Sequence, residues 1–144
     1  MRRHCLLRLP CQPRTHRRSN RYTKTESALM PEHVHMLICP QRDDYSISNI
    51  LLAIKRPASY RARKAGYCTA AHLWQPGGGY DRNLWTSETI HKEIDYMHAN
   101  PVRKGFCEAP EQWLYSSAAY WAGMTDAPLK MDHSLPPRDA SAGD

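Results

Sequence analysis

From His33 to Ile38 the chain alternates, with Val34, Met36 and Ile38 on one side and His33, His35 and Leu37 on the other. A period of two is the signature of a strand, and Pro31 and Pro40 bound it. Ser46 then caps a helix whose Ile47, Ile50, Leu51 and Ile54 form an i, i+3, i+4, i+7 stripe. Pro57 is expected to end or kink that helix near Lys55–Arg56, with a second helical piece from Tyr60 to Lys64. Leu73–Tyr80, with Pro76 and three consecutive glycines, reads as a loop. Thr86 or Ser87 opens the next helix, Glu88 lies in its first turn, and Ile90, Ile94 and Met97 form its buried stripe. Pro101 is expected to stop this helix at about Asn100. Trp113 to Trp121, rich in aromatics and small residues, reads as a short helix packed on the sheet. Residues 1–27 show neither period and read as a disordered basic arm, and 125–144 as a disordered tail, leaving one folded domain over 28–124.

Composition narrows the field. The 144 residues have room for one domain, and their 41% apolar content allows a core of modest size. No apolar run is long enough to cross a membrane as a helix. The net charge of +6 is unevenly placed: residues 1–28 carry eight basic side chains against one acid, Glu26, and the remainder twelve against thirteen. Cys5, Cys11, Cys39, Cys68 and Cys107 form no C-x-x-C pair, so they read as free thiols of a reducing cytoplasm rather than a zinc or redox motif. Arg8 and Pro10 interrupt the N-terminal apolar stretch too early for a secretory signal. The triple glycine is not followed by Gly-Lys-Ser/Thr, which excludes a nucleotide P-loop.

The chemistry concentrates in two places. On a strand, His33 and His35 project from one face, as two ligands of one metal ion do; two surface histidines on an ordinary strand give the same pattern. On the second helix Tyr96 and Asn100 lie one turn apart at the edge of the buried stripe, where a phenol can meet a site while packing holds its ring; a plain rim tyrosine fits equally. Lys55, Arg56, Arg61, Arg63 and Lys64 fall in a stretch free of acids between Asp44 and Asp81 and suit phosphate contacts, with Tyr60 and Tyr67 available for base stacking. A solvated helix face explains that stretch as well. Arg82 and Arg103 are lesser candidates.

Taken together, these segments resemble a known family. Met30-Pro31-Glu32-His33-Val34-His35-Met36-Leu37, Trp74 to Arg82, Ile94-Asp95-Tyr96-Met97-His98-Ala99-Asn100-Pro101-Val102-Arg103-Lys104-Gly105, and Trp113 to Ser117 resemble four ordered segments of the REP-associated tyrosine transposases. These are single-tyrosine HUH enzymes related to insertion-sequence-200-like elements, and the likeness spans roughly Leu29 to Gly123. It implies an α+β, ferredoxin-like fold: an antiparallel sheet with helices on one face and the active site on the other. It implies Tyr96 as the nucleophile, forming a 5′-phosphotyrosine link to single-stranded DNA, and His33, His35 and Asn100 as ligands of magnesium or manganese. Two imidazoles and an amide suit manganese at least as well as the oxygen-loving magnesium. Relatives carry a first strand and helix ahead of the His-x-His strand, whereas the residues before His33 read as neither, so the first strand is expected to be missing.

Three functions compete. The first is metal-dependent nicking and joining of single-stranded DNA through Tyr96, in a cytoplasmic protein read as monomer rather than dimer, with hairpin-forming repeats as its DNA. The second is a relative that holds DNA hairpins without cutting them. The third is a hydrolase in which His33 and His35 hold a metal and water is the nucleophile.

Overall fold

A computed structural model of the chain describes residues 3–8, 22–40, 44–76, 79–124, 126–129 and 131. The described strands β1 (Arg3–Arg8), β2 (Tyr22–Leu29), β3 (His33–Pro40) and β4 (Tyr80–Asn83) form one sheet in the order β2-β3-β1-β4. The described helices are α1 (Ile47–Lys64), α2 (Ser87–Arg103) and the short α3 (Ser117–Trp121), the last preceded by a 3-10 turn at Pro110–Gln112. The class is α+β, as expected. No described helix is long and apolar enough to cross a membrane.

The sheet departs from the expected uniformly antiparallel one. β2 and β3 pair antiparallel, but β1 lies parallel to both β3 and β4. Strands therefore occupy Arg3–Arg8 and Tyr22–Leu29, wholly and mostly inside the 1–27 stretch read as an arm, so strands do precede the His-x-His strand where the first was expected to be missing; the rest of that arm and most of the expected tail lie outside the described residues. Strand periodicity does not mark β2, because Thr25, Glu26 and Ser27 are polar yet buried and a bulge between Lys24 and Glu26 breaks the alternation.

Helices pack on both faces of the sheet. Ile38 of β3 meets Ile50 of α1, with Met36, Ile47, Leu51 and Ile54 around them. Leu37, one residue along and so on the opposite face, joins Ala28, Leu84 and the Ile90, Ile94 and Met97 stripe of α2. Each fully buried aliphatic side chain contributes about 1.5–3 kcal/mol. α2 thus lies on the side of the sheet that carries His33 and His35, not on the side opposite the histidines.

Neither helix stops at its proline. α1 runs through Pro57 to Lys64, and α2 runs through Pro101 to Arg103. A proline removes one backbone donor, and packing on the sheet outweighs that loss. The caps are the expected ones: Ser46 Oγ accepts from the Asn49 amide and Thr86 Oγ1 from the Thr89 amide. α2 closes in a Schellman motif, with the amide of Phe106 donating to Pro101 O and that of Gly105 to Val102 O. Gly105 has φ +72°, which glycine adopts without penalty. Cys68 and Cys107 are free thiols, but Cys39 is disulfide-bonded, against the expectation of reduced cysteines throughout.

Candidate active site

β3 is an internal strand, held on both sides by ladders, so His33 and His35 project from a rigid element. Their Nε2 atoms lie 2.9 Å apart. Asn100, buried near the end of α2, brings its amide to 2.7 Å from His35 Nε2. Turning that amide over puts its oxygen in the place of its nitrogen. Three donors from two elements therefore converge on one point.

The surroundings of His35 favour a neutral, lone-pair-bearing ring. Burial, aided by the neighbouring His33, lowers the His35 pKa to about 4. Glu32 Oε1 lies 3.2 Å from His33 Nδ1, so an Nδ1–H donated to the carboxylate leaves Nε2 turned toward His35. Among the described residues no three His, Cys, Asp or Glu side chains form a metal-binding group; the third donor here is an amide.

Tyr96 stands beside this cluster. Its ring centroid is 6.1 Å from that of His35, edge to face, and the side chain is 47% exposed, so the phenol is open to a ligand. The Arg103 guanidinium lies 4.7 Å from the centroid of the Tyr96 ring, a cation–π contact. Seven residues is almost two full helical turns, and that spacing is the signal by which Arg103 can be read as a partner of Tyr96. Lys92, also on α2, instead pairs with Glu88, 3.8 Å away, in full exposure. Tyr80, by contrast, is exposed on the edge strand β4.

A second polar cluster, invisible in the sequence, fixes α2 against β2 and α3. The Glu26 carboxylate is fully buried, accepting from Trp121 Nε1 at 2.7 Å and lying 3.1 Å from His98 Nε2. His98 Nε2 also lies 2.8 Å from Ser117 Oγ, which in turn donates to Ser27 O. His98 sits midway between Tyr96 and Asn100, so this clasp sets the rotation of α2 that presents both.

The five basic candidates are not brought to this cluster. They lie on α1, which packs on the other face of the sheet. Burial lowers the pKa of Lys55, whose ammonium sits 5.7 Å from the Trp74 ring centroid. Arg63 donates to Ala71 O, while Arg56, Arg61 and Lys64 are exposed. Arg82 pairs with Glu93 of α2 at 3.4 Å. Tyr60 and Tyr67 are both well exposed.

Comparison with known proteins meets this geometry with a family. A protein of Haemophilus influenzae named for the REP-associated tyrosine transposases is 24% identical over 121 residues, covering 72% of this chain and 69% of its own length. The REP-associated tyrosine transposase of Escherichia coli K12 is 22% identical over 89 residues, which is 62% of this chain and 50% of the relative. No protein-family profile and no solved structure matches the chain. Both relatives carry the name of the family that the four sequence segments resemble.

Proposed function

We propose that the chain cuts and rejoins single-stranded DNA, with Tyr96 as nucleophile and a divalent metal ion, magnesium or manganese, held by His33, His35 and Asn100. The observation that carries the reading is the convergence of the two imidazoles and the amide beside an exposed tyrosine. The donor set fits such an ion, because both rings offer Nε2 to one point and burial keeps His35 neutral. When bound, the ion supplies positive charge to the scissile phosphate.

The chain's own residues do the rest. The phenolic oxygen of Tyr96 attacks phosphorus and loses its proton; the bond from phosphorus to the 3′-oxygen breaks, and that oxygen takes up a proton. The products are a 5′-phosphotyrosine ester and a free 3′-hydroxyl. Because the ester keeps the energy of the bond broken, a 3′-hydroxyl can attack it and restore the strand without ATP. Arg103, stacked on the tyrosine, holds the ring and brings a cation to the phosphate. Arg56, Arg61 and Lys64 on α1 supply further phosphate contacts, with Lys55 and Arg63 tied more closely to the neighbouring loop. Hairpin-forming repeats are the DNA proposed here, and the relatives' names associate them with REP sequences.

The test is chemical. After incubation with manganese and single-stranded DNA from the flanks of its own gene, digestion and mass spectrometry should find a nucleotide on the peptide containing Tyr96. The released strand should be extendable by a polymerase from its 3′-end. A modified peptide that lacks Tyr96, or a released 3′-phosphate, refutes the mechanism.

A further inference from the structure

Beyond α2 lies a set of aromatic side chains to which the site has given no role. Gly105 turns the chain so that Phe106 stacks on Trp113, with ring centroids 5.5 Å apart and planes within 23°. Trp113 in turn meets Tyr115 edge to face at 6.1 Å. Phe106 remains 45% exposed and Tyr115 53%, although one face of Phe106 is covered by the indole. Burial alone does not account for aromatic rings left this open.

The backbone beneath them is rigid and close to the active site. Trp113 Nε1 donates to Leu29 O at 2.9 Å, the Leu29 amide donates to Tyr115 O at 2.8 Å, and Ser116 bridges to Ala28. Residues 113–116 thereby extend the edge of β2, and Leu29 pairs with Val34, the residue between the two histidines. The backbone of residues 113–116 thus runs about two strand spacings, roughly 10 Å, from that of the histidines. Along the chain from Tyr96 to Phe106 come Arg103, on the tyrosine ring, and Lys104, 4.0 Å from Glu32. Glu108 and Glu111 come after Phe106 in the chain, whereas the two cations come before it.

We infer that Phe106, backed by Trp113 and flanked by Tyr115, is a base-stacking platform for the single-stranded DNA next to the scissile phosphate. The inference rests on the proposed reading of the site as a single-strand nuclease and ligase. Every base offers a π-face, so such a platform binds without regard to sequence, and adjacent cations hold the backbone. Duplex DNA, whose bases are already stacked, gains nothing from it.

The experiment uses the full chain, a fluorescein-labelled single-stranded oligonucleotide from the gene's flanks, and a chelator that prevents cleavage. Fluorescence anisotropy gives the affinity of the parent and of Phe106→Ala, with circular dichroism melts showing that both are folded. Phe106→Ala should bind about 5- to 150-fold more weakly, the effect of losing one stacked base. A series of oligonucleotides with single abasic sites should contain one position whose loss weakens the parent but not Phe106→Ala. Parent-like affinity in a folded Phe106→Ala, or identical abasic profiles in the two proteins, overturns the inference, as does a parent that binds no single strand. If no Tyr96 adduct forms with manganese while Phe106-dependent binding persists, the cleavage reading fails and the platform stands.

Discussion

His33 Nε2 stays turned toward His35 because Glu32 engages its other nitrogen, 3.2 Å away. Glu32→Ala should therefore weaken manganese binding on the order of 10- to 100-fold, as loss of an outer partner of a ligating histidine does. Isothermal titration calorimetry measures it, and unchanged affinity would show that Glu32 orients nothing. Arg103 tests the other half of the site. With its guanidinium stacked on Tyr96, Arg103→Ala should slow single-turnover adduct formation on the order of 10- to 100-fold, the scale of a misplaced reacting group. Arg103→Lys keeps the charge but loses the planar stack, and should recover only part of the rate. Quench kinetics of the adduct would separate the two.

Most of what brings these residues together is α2, and the sequence announces its start better than its end. Thr86, Glu88 and the Ile90, Ile94 and Met97 stripe are legible because caps and periodicity are local. Pro101 points to a stop at Asn100, yet the helix continues one more turn, because a missing donor costs less than undoing a packed face. The true end is encoded in Gly105. Gly105→Ala should destabilise the fold by about 1–2 kcal/mol, since φ +72° is strained for alanine although open space surrounds the position. A urea denaturation midpoint reads this, and no change would mean that the turn relaxes freely. The His-x-His strand was equally legible, but β2 was not, for its buried Glu26 and Thr25 find their partners only in the tertiary fold. The reason is physical: a polar residue reads as exposed until the groups that satisfy it, here Trp121 and His98, are known.

Across the molecule, one clasp joins sheet, α2 and α3 through Glu26, and its His98 lies between Tyr96 and Asn100 on α2. Glu26→Ala leaves the Trp121 and His98 donors without their acceptor and should cost about 3 kcal/mol. Charge is distributed just as unevenly in space as in sequence, with the exposed cations of α1 on the face away from Tyr96. If a bound strand reaches around to them, replacing Arg56, Arg61 and Lys64 by alanine should lower the slope of log affinity against log salt by about 2. A slope left unchanged confines DNA to the α2 side of the sheet. The parallel placement of β1 does not disturb β3, whose His35 meets both His33 and Asn100. The most direct measurement compares the parent with Tyr96→Phe on a denaturing gel, using labelled single-stranded DNA and manganese. A DNA–protein adduct formed by the parent, and lost in Tyr96→Phe and with chelator, is the expected result; strand cleavage that survives in Tyr96→Phe would make water the nucleophile and contradict the assignment.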